Sequence, residues 1–194
     1  MAKSKTKTRE EWLLKVTDEV FRPWFKKQGH PLPKRLRVGV GFTSQGKRGK
    51  RIGECWSDDV SGDKTREVVL HIVLDDAMSV LATLFHELVH AALPWGVGHG
   101  REFKALAVAG GLEGKMTETH AGLGFTEWMR PVIKAMPRYP HSGLNATQST
   151  IKKQGTRLIK CSCPECGYTV RTTAKWIEVG LPVCPADGIS MEVG

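Results

Sequence analysis

Between His86 and His99, fourteen residues carry three histidines and a glutamate in the order HELVHAALPWGVGH. Imidazole is the commonest side-chain metal ligand, and a neighbouring carboxylate can take a proton from water. If the stretch is helical, His86 and His90 fall one turn apart on nearly the same face. Ser79 and Thr83 share that stripe, while Leu81, Leu84, Phe85, Leu88, Val89 and Ala92 cover much of the rest. A helix that is apolar almost all round is buried, and two buried imidazoles need partners. A zinc ion would satisfy both. Glu87 is rotated off the stripe, badly placed as a ligand but within reach of a water at the metal. H-E-x-x-H therefore reads as two ligands plus a general base.

A catalytic zinc also needs a third protein ligand and an open position. The helix must stop at Pro94, after which Trp95-Gly96-Val97-Gly98 turns the chain back. His99 follows His90 after eight intervening residues, enough for a reversal across the metal. Glu113 and Glu118 are rival third ligands. His99 is preferred because the glycines on both sides free the backbone to place its ring. For a developing oxyanion, Tyr139, His141, Arg101 and His120 are the candidate donors, with none singled out.

A second constellation lies near the other end. Cys163-x-x-Cys166 followed by glycine has the shape of a zinc knuckle, and Cys184-Pro-Ala-Asp187-Gly supplies a second half. Clustered thiols without a secretion signal point to zinc rather than disulfides. A standard ribbon carries cysteine where Asp187 stands, so the fourth ligand is Asp187 through oxygen or Cys161 through sulfur, spacing favouring Asp187. Cys55 stands apart, as a small half-buried strand residue would. Tyr168, Arg171, Lys175 and Trp176 lie between the knuckles. Their rings and cations suit single-stranded nucleic acid, and equally the packed face of a small ribbon.

The elements that hold these residues can be sketched from periodicity. Trp12, Val16, Val20 and Trp24 mark a helix from Arg9 to Gln28 with a break at Pro23. LRVGVGF, RIGECWS and REVVLHIVL read as three strands of an antiparallel meander. Asp75 or Asp76 caps the histidine helix. REFKALAVAGG gives a shorter helix closed by glycines, and EWMRPVIKAM another. The expected organisation is an α+β domain over residues 1–145, a polar linker over 146–155, and a ribbon over 156–194 too short to fold without a metal staple.

The formal charge of +9 is concentrated from Lys3 to Arg9, from Lys34 to Arg51, and from Lys152 to Lys160. Such a balance favours polyanions, nucleic acid first among them. Lys47, Arg48, Lys50 and Arg51 in the basic turn, with Arg171, Lys175 and Trp176, are the expected DNA contacts, single strands preferred. The basic start leads into no apolar segment, and no run approaches the length of a membrane span, so a cytoplasmic protein is expected.

LFHELVHAAL followed by GHGREFKAL resembles the SprT-like zincin domain, whose proteins include the Spartan-type proteases acting on DNA–protein crosslinks. The preceding strands and the C-terminal ribbon match that family's layout, although the specific likeness lies between Phe85 and Phe103. The resemblance implies a zincin-like core with His86, His90 and His99 as ligands of a catalytic zinc and Glu87 as base. It implies a metallopeptidase acting on protein at DNA. Two other functions compete: a nucleic-acid-binding zinc protein with an idle zincin core, and a metal-dependent hydrolase of a non-peptide bond.

Overall fold

The computed structural model describes residues 8–46, 49–145 and 157–194. The chain divides into two compact units, Met1–Gln148 and Ser149–Gly194. The division falls within the stretch read as a linker, residues 146–155, which itself lies outside the described residues. Among the described residues, no helix is long and apolar enough to cross a membrane.

The first unit is mixed α+β. It opens with α1 (Arg9–Val16), started by a capping box between Thr8 and Glu11 that satisfies otherwise orphaned backbone groups. The predicted break at Pro23 does not occur. A π-helical turn over Thr17–Phe21 runs directly into α2 (Arg22–Lys27), which has Pro23 in its first turn, where proline is tolerated. The π turn holds more than 3.6 residues and slips the apolar stripe by one. Trp12 and Val16 are buried as the periodicity predicts, but Phe21 and Phe25 are then buried, with Val20 and Trp24 only packed against the core.

The sheet corrects the expected meander. β1 (Leu36–Gly41), β2 (Gly53–Trp56) and β3 (Arg66–His71) are arranged in the order β1-β3-β2. β1 runs parallel to β3, with Val38 opposite Val68, and only β2 is antiparallel, with Cys55 opposite Val68. The reason is visible in β3: its nearly continuous apolar run suits a strand flanked on both edges, as a central position provides. Cys55 is half-buried in β2, and burial pushes its thiol up to about 12, so it stays a protonated packing residue.

Across this sheet lies α3 (Ala77–Ala92), capped by Asp76, whose carboxylate accepts from the Ser79 amide. α4 (Arg101–Ala109), the hairpin β4 (Leu112–Lys115) and β5 (Glu118–Ala121), and α5 (Leu123–Ala135) complete the unit. Phe85 is the packing centre, with Phe21, Trp24, Phe25, Phe125 and Trp128 all within ring contact of it. An added Cβ on Gly110 would sit 2.2 Å from the Phe85 ring, so only glycine lets the α4 end pass. This aromatic anchor fixes the rotation of α3, and with it the next residue, His86.

The second unit contains β6 (Leu158–Ser162) between β7 (Thr169–Thr173) and β8 (Glu192–Val193), with the short α6 (Ala174–Val179) after β7. Cys161, Cys163, Cys184 and Met191 form its small core. Its described residues carry four Lys or Arg against four Asp or Glu, so the basic excess of the chain lies elsewhere.

Candidate metal centre

α3 delivers two donors and the following turn the third. His86 and His90 project from one face of α3, and the turn Leu93–Gly98, with Gly96 and Gly98 at φ 94° and 58°, returns His99 to them. The Nε2 atom of His99 lies 3.2 Å from that of His86 and 3.1 Å from that of His90. For three nitrogens around tetrahedral zinc, ligand bonds of 2.0–2.1 Å imply separations of about 3.3 Å. The spacing therefore fits a single ion held by three neutral imidazoles. Burial holds His86 down at about 3 and His90 at about 4, and also lowers His99, so near neutral pH no proton competes for these nitrogens.

Two supports of this triad lie outside the motif. Thr119 on β5 places its hydroxyl 2.7 Å from Nδ1 of His86. Nδ1–H donating to that oxygen leaves the Nε2 lone pair facing the other rings, an orienting contact typical of metal-bound histidine. Phe103 of α4 is fully buried beneath all three imidazoles, with ring centroids 4.9, 4.4 and 4.7 Å from His86, His90 and His99. Neither was legible in the sequence. Thr119 is distant along the chain, and Phe103 reads as an ordinary core position of its helix.

Glu87 lines the same cleft, of about 700 Å³, with the three histidines, Gly53, Arg51 and Trp95. Its carboxyl is buried against β2: a Cβ on Gly53 would lie 2.5 Å from Oε1 of Glu87 and 2.7 Å from Cγ2 of Thr83. Burial first, and then the charge of Glu54, pushes Glu87 up to about 8. A divalent ion at the histidines would act in the opposite direction. Glu54 is itself buried, which raises it, but bonds from the Ser44 amide and hydroxyl and from Arg51 hold its carboxyl below the usual range. This network fastens the base of the basic turn to the cleft. Lys50 and Arg51 line the cleft, whereas Lys47 and Arg48 lie outside the described residues.

The rivals go elsewhere. Glu113 accepts from the Leu123 amide at the start of α5, and Glu118 lines the cleft without joining the histidine cluster. None of the four oxyanion candidates lines the cleft. Tyr139 packs edge-on against Trp12, and His141 bonds to the Ile72 carbonyl and Arg9. His120 sits across the hairpin from Glu113, and Arg101 is an exposed residue opening α4.

In the second unit, the ligand atoms of Cys163, Cys166, Cys184 and Asp187 lie within 4.8 Å of one another, a set that could hold a metal ion. The two knuckles are built alike. Gly167 and Gly188 take φ 75° and 68°, and their amides bond back to the carbonyls of Cys163 and Cys184. Asp187 thus occupies in the second turn the position of Cys166 in the first. Oδ2 of Asp187 is 3.2 Å from Sγ of Cys163 and 3.3 Å from that of Cys184. Thiol bonds from Cys166, Cys163 and Cys184 hold the Asp187 carboxyl below its usual range. Cys161 is fully buried on β6 and outside this set.

Of the expected DNA contacts in this unit, Arg171 is exposed on β7, directly across from Lys160. Trp176 is 57% exposed rather than packed inside, with the Lys175 ammonium 5.1 Å from its ring centre. Compared with known proteins, the chain matches no family model, no curated protein and no solved structure.

Proposed function

We propose that this chain is a zinc-dependent metallopeptidase of SprT-like type that acts on proteins held at DNA. The observation that carries the reading is the convergence of three Nε2 atoms at 3.1–3.2 Å in a cleft that also holds Glu87. Zinc bound there supplies a Lewis acid and brings the pKa of a water toward neutrality. His86, His90 and His99 hold it, Thr119 fixes the tautomer of His86, and Phe103 keeps water from the back of the rings. Glu87 accepts the proton of the attacking water at its carboxylate. The water oxygen bonds to the substrate carbonyl carbon, the C–N bond breaks, and Glu87 returns the proton to the leaving amine. β2 is an edge strand of its sheet and lines the cleft, so an extended polypeptide can lie along it. That favours a peptide over another hydrolysable substrate.

The DNA half of the proposal rests on the +9 charge, on Lys50 and Arg51 at the cleft and on the exposed Arg171, Lys175 and Trp176. In the second unit, zinc closes the Cys163–Cys166–Cys184–Asp187 site and staples a ribbon. A nucleic-acid-binding protein with an idle core is the second reading, favoured by the tight burial of Glu87. Zinc content and cleavage of a DNA-bound protein, with and without single-stranded DNA, separate the two. Glu87→Gln should keep its zinc and lose about 10² to 10⁴ in rate. Undiminished cleavage by that variant, or zinc-replete wild type that cleaves nothing, counts against the peptidase.

A further inference from the structure

α3 ends without a glycine cap. Proline follows Leu93, and the carbonyls of the last turn have no helical partners of their own. The group that meets them comes from the sheet. Arg66, the first residue of β3, donates from Nη1 to the carbonyls of Ala91, at 3.1 Å, and Leu93, at 3.2 Å. Its Nη2 donates to Asp58 at 2.7 Å, and the side chain is only 12% exposed. Nε of the same guanidinium is buried and has no hydrogen-bond partner among the described residues. The cation also sits at the negative end of the helix dipole.

Ala91 follows a metal-ligand candidate directly, and Leu93 begins the turn that carries the third. Two bonds to one planar guanidinium fix the direction in which the chain leaves α3. Inside the turn that follows, Val97 donates to the Pro94 carbonyl, and two glycines adopt left-handed conformations. The position of His99 therefore depends on where the turn starts and on how Phe103 seats its ring.

We propose that Arg66 is a positioning residue for the metal centre, holding the α3 exit so that His99 meets His86 and His90. This rests on the metal reading above. Groups bonded directly to a metal-ligating side chain typically carry about 10- to 100-fold in metal affinity. Arg66 acts one step further out, through the backbone that leads to His99, so its effect should sit at or below the lower end of that range. Arg66→Met keeps the length and removes the fork. Arg66→Lys keeps the charge but cannot grip two carbonyls and Asp58 together.

The experiment is a zinc competition titration of the full chain, taking as the core site the step that His90→Ala abolishes. Cobalt substitution reports the coordination geometry of the same site. Arg66→Met should weaken that step severalfold, up to about tenfold, and change the cobalt visible spectrum, with Arg66→Lys in between. The decisive arm is a cycle with His99→Ala. If Arg66 acts through His99, Arg66→Met should have little further effect on zinc affinity once His99 is gone. Equal losses in both backgrounds would make Arg66 a general stabiliser and overturn the proposal, as would unchanged affinity. Should Arg66→Met fail to fold, Arg66→Lys carries the test, and its smaller loss must likewise appear only when His99 is present. Wild-type protein with no zinc step at all refutes the metal reading itself, a result distinct from zinc-replete protein indifferent to Arg66.

Discussion

Adding one methyl group at Gly53 tests how tightly the candidate base is held. The residue lies in β2, so alanine suits its backbone, but the new Cβ would meet Oε1 of Glu87 at 2.5 Å, Cγ2 of Thr83 at 2.7 Å and Cγ of Glu87 at 2.9 Å. Ordinary contact begins near 3.4 Å, so the carboxylate or the strand must give way by about 0.9 Å. Overpacking of this kind costs about 1–3 kcal/mol. At roughly 2–4 °C per kcal/mol for a chain this size, thermal unfolding should shift measurably downward. A displacement near 1 Å in a catalytic group can cost about 10² in rate. The three atoms nearest the new Cβ belong to Glu87 and Thr83 and to no histidine, so Gly53→Ala should retain its zinc while turnover falls about a hundredfold. Glu87→Asp removes only the contact with Oε1, since a Cγ at residue 87 and Cγ2 of Thr83 still lie within 3.0 Å of the new Cβ, so the double variant should recover part of the loss and not all of it. Unchanged unfolding and full turnover in Gly53→Ala would show that the contact is slack and the argument wrong.

In metal-free protein, Glu87 is raised to about 8 and His86 and His90 are lowered to about 3 and 4. A raised carboxyl contributes stability that is complete below its unfolded pKa of 4.5 and is lost as pH rises through about 8, while the histidines lose theirs only as pH falls below 6.5. From pH 6.5 to 8, urea midpoints of the metal-free wild type should therefore fall, and those of Glu87→Gln should be flatter; parallel slopes would contradict the assignment. His99→Ala should sharply lower the zinc that the core site retains, leaving a weaker step on His86 and His90, whereas His120→Ala and His141→Ala, whose rings lie elsewhere, should not, as metal analysis can check. The intact chain should hold two zinc ions, with Asp187→Ala lowering the count and Cys161→Ser leaving it alone; the reverse pattern would exchange their roles. Trp176→Ala should weaken single-stranded DNA binding by about 1–3 kcal/mol without altering zinc content or unfolding, because the ring is 57% exposed. A change in unfolding with no change in binding would make it a packing residue instead.

Local spacing carried much of this architecture. The stripe on α3, its aspartate cap, the proline that ends it and the glycines around His99 each act within a few residues, so periodicity and turn chemistry expose them. The parallel pairing of β1 with β3 was not legible, because strand order depends on which faces α1 and α3 cover rather than on turn lengths. The π turn was hidden too, since its consequence appears only as Phe21 and Phe25 displacing Val20 and Trp24 in the core. Thr119, Gly53 and Arg66 act on α3 from β5, β2 and β3, at contacts that no motif encodes. Spacing already favoured Asp187 over Cys161, and the folded turns place Asp187 with Cys163, Cys166 and Cys184 while Cys161 stays outside the group.

The single phenylalanine ring beneath three imidazoles has a thermodynamic consequence. Donors mounted on one support would meet an incoming ion as intramolecular partners, so the second and third bonds would form at high effective concentration. In the unfolded chain the same donors are separate weak ligands. Ion binding is then almost wholly a property of the folded state, and each tenfold rise in free zinc above its dissociation constant should add about 1.4 kcal/mol to stability. Phe103→Ala would uncouple the donors while leaving every ligand atom in the chain. The slope of unfolding temperature against the logarithm of free zinc would then flatten over the range in which wild type responds, making that slope a readout of preorganisation.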